Sequence, residues 1–445
     1  MNILLTTIGS SGEAHPFIGV GRSLRGRGHQ VTLITNPHFE AAVKSAGLDF
    51  VPLERADPHG PGGFQLGRRL ARLGGSYFRR WRKLARAGST LPYLRPLYAI
   101  IARLYEPGKT LVVANCQCLG ARVAQERMGV PLVSVLLMPF YLRSLHRPPV
   151  TPPLEFPRWS PHWLRRAAYA LADRLVLDRL LMGPVNEFRA ELDLPPEDHF
   201  IDWRLSPERT IGLFPDWYAP PQPDWPGQVR LTGFPLFDEG ESMPTPELED
   251  FLNEGPPPLV FTAGSVVRDV HRFFAESAEA CRLLRRRGIL LTRFRDQVPA
   301  RLPAGTRHFD YVPYSKLLPR AAAVVHLGGI GGTAQCLRAG VPQLVMPYKN
   351  DQPDNAARLR DLGVCRVLAP GAYRARSVAS AIDSLLQSAT VKARCSSLAS
   401  QIDPQDDLKR TCDLIEEMRP RIRTPAMAHG RISSRREIPL VPISI

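Results

Sequence analysis

Two glycine-rich turns and one polar cluster hold the residue types best suited to chemistry in this chain. The first turn reads Gly9-Ser10-Ser11-Gly12-Glu13-Ala14-His15-Pro16. The second, Gly328-Gly329-Ile330-Gly331-Gly332, follows an apolar run at 321–325 and leads into a helical pattern near Thr333. Glycines let backbone N–H groups approach an anion closely, and a helix start adds unpaired donors and the positive end of its dipole. A strand-like run at 343–346 then delivers Asn350-Asp351-Gln352, whose carboxylate and amide groups suit sugar hydroxyls. A phosphate cradle one loop from sugar-binding groups fits a nucleotide sugar.

The elements that must position these residues alternate. Strand patterns at 3–8, 31–35, 50–53, 110–114 and 131–136 are separated by helical patterns at 16–27, 39–46 and 119–128. Pro16 suits a first helical turn. After a proline-rich linker near 219–256, strands at 259–262, 289–293, 308–311, 322–326 and 343–346 alternate with helices at 270–286, 315–320, 333–338 and 354–362. Such alternation predicts an α/β protein with two doubly wound parallel sheets, and ligands bind beyond the carboxyl ends of their strands. The expected domains are 1–225, 226–403, and a closing helix (404–422) followed by a mobile tail to 445. Residues 143–215 break the alternation with prolines, tryptophans and amphipathic stretches such as 163–182, and read as a variable part of the first domain.

Composition narrows the class. A chain of 445 residues, 44% hydrophobic and 22% charged, can bury a real core in two to three domains. No apolar run is long enough to span a bilayer, and Met1 leads straight into a strand pattern, so a cytoplasmic location is expected. Seven cysteines show no metal-ligand spacing, which suits reduced thiols. Net charge is +16, and no acid lies between Asp57 and Glu106 while ten basic residues do, including Arg68, Arg80, Arg95 and Arg103. That stretch, interleaved with Tyr77, Phe78 and Trp81, fits a solvated helix face, an anionic membrane surface or a lipid-like substrate. No nucleic-acid motif accompanies it.

The second turn and its surroundings carry a family likeness. Ala339-Gly340-Val341-Pro342-Gln343-Leu344, Asp351-Gln352 and Asn355-Ala356-Ala357-Arg358 resemble the donor-binding signature of family 1 GT-B glycosyltransferases. The resemblance runs to about residue 368 and is closest to bacterial rhamnosyltransferases and sterol or macrolide glycosyltransferases. It implies two Rossmann-like domains facing a central cleft, with a variable acceptor region at about 58–105 and 143–215. It also implies inverting transfer of a hexose or deoxyhexose from a dTDP- or UDP-hexose to a hydroxyl group. No metal or other cofactor is expected. The acceptor is expected to be hydrophobic or lipid-like, with peripheral contact at the inner face of an anionic membrane and no nucleic acid.

Residue by residue, Glu13 stands at the position of the family's acid or histidine and is the expected base. Its rival is His15, which titrates nearer neutrality. Asn115 replaces the aspartate that backs the histidine in the plant branch. The resemblance assigns donor binding to Ser10, Ser265, Tyr311 (stacking on the base), His326, Gly328, Gly329, Gly331, Gly332, Thr333, Asp351 and Gln352. Asn355 is expected to fix the loop. Leu327 and Gly332 depart from the signature where relatives carry His and Thr that contact the diphosphate, and Tyr314 replaces a Gln. Those departures keep open a catalytically impaired binding or scaffold protein. A nucleotide-sugar 2-epimerase is a third reading, opposed by Asp351-Gln352.

Overall fold

The computed structural model describes residues 1–55, 90–152, 155–157, 159–237, 245–265, 267 and 270–418. Seven parallel strands form the first sheet: β1 (Asn2–Thr6), β2 (Gln30–Thr35), β3 (Asp49–Pro52), β4 (Thr110–Asn115), β5 (Leu132–Leu136), β6 (Arg209–Gly212) and β7 (Val229–Leu231). Their spatial order is 3-2-1-4-5-6-7, the doubly wound arrangement that reverses direction beside β1. Residues such as Leu4, Leu5, Val112 and Val113 are buried on alternate faces, because helices cover both sides of the sheet. Those helices are α1 (Ser11–Gly26), α2 (Glu40–Ser45), α3 (Leu94–Leu104), α4 (Leu119–Met128), α5 (His162–Ala172), α6 (Gly183–Glu191) and the short α7 (Phe200–Trp203).

The second sheet has six parallel strands in the order β10-β9-β8-β11-β12-β13. They are β8 (Leu259–Thr262), β9 (Gly288–Leu291), β10 (Thr306–Phe309), β11 (Ala323–His326), β12 (Gln343–Val345) and β13 (Cys365–Val367). Around them lie α8 (Pro246–Asn253), α9 (His271–Leu284), α10 (Tyr314–Leu317), α11 (Ile330–Ala339), α12 (Gln352–Leu362), α13 (Ala375–Gln387), α14 (Ala389–Ala399) and α15 (Pro404–Glu416). Two sheets, each beginning a new winding, make the GT-B architecture expected from the sequence. All seven cysteines are buried and unpaired.

Several boundaries move. The first sheet takes in β7 at Val229–Leu231, past the boundary at 225, because a three-residue strand among prolines gives no periodicity to read. Strand β6 likewise lies inside the stretch 143–215, where the sequence pattern shows no alternation. The amphipathic stretch at 163–182 is α5 followed by a π-helical segment, Asp173–Met182, that runs into α6. Of the basic stretch between Asp57 and Glu106, Arg95 and Arg103 lie in α3, while residues 56–89 and the tail from 419 lie outside the described residues.

Helix α15 closes the molecule by packing on the first domain. Cys412 and Ile415 are buried in the same core as Val20 and Leu24 of α1, and burying one such aliphatic side chain stabilises by about 1.5–3 kcal/mol. At the rim, Arg27 reaches Asp413 and Glu416, each at 2.7 Å, and Glu416 also meets His29 at 2.7 Å. Deeper in, the Asp407 carboxylate accepts the Phe234 N–H at 2.9 Å, tying the interdomain linker to the same helix. Burial pushes Asp407 up to about 6.

Candidate active site

Helix α1 starts at Ser11, five residues before the proline that the sequence pattern takes as its first turn, and Pro16 sits inside it. The cause is a capping box. Ser10 is the N-cap, and three residues on the Glu13 carboxylate accepts the Ser10 N–H at 2.7 Å and also the Ser10 hydroxyl. The spacing Ser-x-x-Glu is a helix-start signature in its own right. Ser10 and Glu13 are therefore bonded to each other, and both belong to the helix end rather than to a loop.

Glu13 still faces the crevice between the domains. Burial raises its pKa, outweighing the Ser10 hydrogen bonds that lower it. Its charge is felt by Asp351 of the second domain and by Tyr141 of the first. His15 lies two residues on, about 200° around the helix, with its ring edge-on to Phe237 of the linker at 6.1 Å. Asn115 is hydrogen-bonded to Thr7 Oγ1 and to the Gln117 N–H, and makes no dyad with His15. Glu13 and His15 thus point to different sides of α1, and Glu13 is the one whose charge Asp351 feels.

The second turn meets the first. Strand β11 ends at His326, and α11 begins at Ile330 with Gly329 as N-cap. Gly328 has φ of +87°, and a Cβ there would come within 2.8 Å of Val345 Cγ1, so the turn requires glycine at this position. A Cβ on Gly331 would lie 3.2 Å from the Gly12 Cα. The N-termini of α1 and α11 therefore abut across the crevice, and their unpaired N–H groups converge on one region.

Three family positions in this turn behave otherwise than the resemblance implies. His326 is buried; its Nδ1 accepts the Gly328 N–H at 3.2 Å, so Nε2 carries the proton and donates to Gln343 Oε1 at 2.9 Å. Burial pushes its pKa down to about 4, and it stays neutral. Both ring nitrogens are spent on shaping the turn, leaving none for a phosphate. Thr333 is fully buried, and its hydroxyl makes no hydrogen bond among the described residues. Leu327 packs with Leu259, Phe261 and Leu344 in the second-domain core. A histidine restored at 327 would enter that core, whereas a Cβ at Gly332 meets only His326 Nδ1 at 3.7 Å. Room for the missing family side chain exists at 332 alone.

Asp351 and Gln352 stand at the start of α12, and a neighbouring asparagine organises them. Asn355, fully buried, donates from Nδ2 to the Gly328 carbonyl at 2.9 Å and to Asp351 Oδ2 at 2.7 Å. Its Oδ1 accepts the Tyr218 hydroxyl of the first domain at 2.8 Å. One amide thus fixes the glycine turn, the acid and the domain contact together. Burial pushes Asp351 up to about 7, with help from the Glu13 charge and against the donors of Asn355 and Ile330. Gln352 Oε1 accepts the N–H groups of Tyr348 and Lys349, which holds the preceding loop. Asp354 extends the docking: Val150 N–H reaches it at 3.0 Å, and Arg358 pairs with it at 2.7 Å.

Ser265 is exposed just beyond the end of β8, after Gly264. Tyr311, also part-exposed, follows β10 with the Arg293 guanidinium 4.9 Å from its ring. Both sit at carboxyl ends of strands in the second sheet. A cavity of about 700 Å³ opens elsewhere, between the linker (Trp217, Trp225) and α15 (Asp407, Arg410), and contains none of the glycine-turn residues. Sequence reasoning did not single out Tyr218 or Tyr141. Neither lies in a motif, and only tertiary structure brings them to the crevice.

Two doubly wound sheets whose strand ends and glycine turns converge on one crevice define a GT-B enzyme. Comparison with known proteins agrees. Residues 3–146 match the glycosyltransferase family 28 N-terminal domain, and residues 289–410 match the erythromycin biosynthesis protein CIII-like C-terminal domain. The chain is 32% identical to O-mycaminosyltylonolide 6-deoxyallosyltransferase of Streptomyces fradiae, over 94% of this chain and 97% of that one. It is 27% identical to a sterol 3-beta-glucosyltransferase of Arabidopsis thaliana, over 82% of this chain and 57% of that longer protein. Among solved structures, the glycotransferase of kitacinnamycin has a TM-score of 0.68 at 22% identity, covering 94% of this chain and 99% of its own. The glycosyltransferase VinC in complex with dTDP has a TM-score of 0.65 at 19% identity, with the same coverage of 94% and 99%. The chain belongs to the family 1 GT-B glycosyltransferases and is a nucleotide-sugar-dependent transferase.

Proposed function

We propose that this enzyme moves a hexose or deoxyhexose from a dTDP- or UDP-sugar to a hydroxyl of a hydrophobic acceptor, with inversion and without a metal. The observation that carries this reading is the convergence of Glu13, the α11 N-terminus and Asp351 on one interdomain crevice. The N–H groups of Gly331 and Gly332 receive the diphosphate and stabilise the charge that develops on it as the glycosidic bond breaks. Asp351 and Gln352 hold the sugar hydroxyls, Tyr311 stacks on the base, and Ser265 reaches the phosphate or ribose. Glu13 takes the proton of the acceptor hydroxyl as its oxygen attacks the anomeric carbon from the opposite face.

Purified protein, an α-linked dTDP- or UDP-hexose and a hydrophobic alcohol are expected to release nucleoside diphosphate and give a β-linked glycoside. Proton NMR of the anomeric centre reads the outcome. A product with retained configuration, or diphosphate release that does not depend on acceptor, would rule out the mechanism.

Peripheral membrane contact belongs to the same proposal. Among the described residues no helix is long and apolar enough to cross a membrane. Trp159, Trp163 (70% exposed) and Leu171 face solvent around α5, beside Arg166 and Arg174, a mixture suited to an anionic bilayer surface. The protein is expected to sediment with vesicles containing anionic phospholipid and not with purely zwitterionic ones. Equal recovery with both would remove this part of the proposal.

A further inference from the structure

Among the described residues, every buried arginine but one is held by two or more acceptors. Arg165 donates to Ser160 Oγ and to the carbonyls of Leu145, His146 and Pro157. Arg189 is spent on Glu126 and the Pro195 carbonyl, and Arg358 on Asp354 and the Tyr218 carbonyl. Arg204, 8% exposed, is the exception. Its Nη2 donates to the Tyr141 carbonyl, its Nε is buried with no partner, and its Nη1 makes no hydrogen bond among the described residues. The guanidinium lies 5.3 Å from the Tyr141 ring and 5.9 Å from that of Phe200. Among the described residues no carboxylate pairs with it.

The neighbourhood is cationic and incomplete. Arg143 and Arg204 share one nearby carboxylate, Asp173, which is already bonded to Arg143 at 2.5 Å. Two guanidinium groups against one acid leave a net positive charge. Asp173 Oδ1 and the Tyr169 hydroxyl, next to that pair, are also buried without partners. A buried guanidinium without a counter-charge is strongly disfavoured, and clustered unsatisfied polar atoms are where a ligand or ordered water belongs. The place adjoins the carboxyl end of the first sheet. Tyr141 follows the carboxyl end of β5, its hydroxyl is bonded to Gln117 beyond β4, and it senses the charges of Glu13 and Asp351.

We propose that Arg204 receives a carboxylate of the acceptor, so that the acceptor is an apolar hydroxy acid and not a neutral alcohol. This rests on the glycosyltransferase reading above for the word acceptor, but the binding itself does not require turnover. Calorimetric titration of the full chain with a medium-chain 3-hydroxy fatty acid and with its methyl ester tests it. The acid is expected to bind about tenfold tighter than the ester or more, as a charged hydrogen bond allows. That ratio should fall to near one in Arg204→Met and be partly kept in Arg204→Lys, which retains the charge. A ratio near one in the unmodified protein, or a preference that survives Arg204→Met, overturns the assignment. Should Arg204→Met fail to fold, the ratio in the unmodified protein and in Arg204→Lys decides alone. Acid-selective binding without sugar transfer would leave Arg204 assigned and refute the transferase mechanism; equal transfer to acid and ester would do the reverse.

Discussion

The Glu13→Gln protein is expected to lose about 10²- to 10⁴-fold in turnover number, the usual contribution of a positioned general base, while its affinity for the nucleotide sugar stays within a few-fold. Glutamine is the informative replacement. Its amide oxygen can still accept the Ser10 N–H, so the capping box that starts α1 survives and only the proton acceptor is lost. Alanine would remove both and confuse a melted helix end with a missing base, since a lost cap alone costs about 1 kcal/mol.

The pH dependence separates the two roles further. Burial raises the Glu13 pKa, and Asp351 is pushed up to about 7 by burial and by Glu13 itself. Only the deprotonated base can accept a proton, so kcat/KM must fall as pH drops through this raised value. The acid limb is expected above the ordinary glutamate range, and it belongs to the interacting pair. Steady-state kinetics across pH 4.5–9 would show that limb in the unmodified protein and its displacement in Glu13→Gln. A loss under tenfold with the limb unchanged would leave Glu13 with capping alone.

Asn355→Ala is the second large effect, and it strikes stability and donor binding together. Removing this one side chain strips partners from the Tyr218 hydroxyl, the Gly328 carbonyl and Asp351 Oδ2. Each buried polar group left unsatisfied costs about 1–3 kcal/mol, so a total near 3–5 kcal/mol is expected after relaxation. Asp351 would also lose a donor that lowers its pKa. The glycine turn, freed from Asn355, would no longer hold its N–H groups in place, weakening nucleotide-sugar binding by about 10- to 100-fold. Urea unfolding and donor titration measure the two consequences. An Asn355→Ala protein that unfolds at the same urea concentration as the parent would mean that the hub is not a structural keystone of the crevice.

Much of this architecture is legible in the residues. Apolar runs of four to six residues between helical patterns show both sheets, and the ordered match around Ala339–Leu344 and Asp351–Arg358 locates the donor half. The capping box was legible too, as Ser10-x-x-Glu13, yet Pro16 drew the expected helix start downstream because proline at a first turn is the commoner pattern. Strands β7 and β13, three residues each, carry too few side chains for alternation to stand out.

By itself the sequence determined the fold class, the place of the two glycine turns and the acid of the first, because glycines, caps and apolar periodicity act over a few neighbouring residues. Tertiary structure alone decided which side chains face the crevice. It turned His326, Thr333 and Leu327 inward, set the Glu13 charge near Asp351, and brought Tyr218 of the first domain onto Asn355 of the second. Burial and pairing between residues a hundred or more positions apart depend on how two domains pack, and no local pattern encodes that.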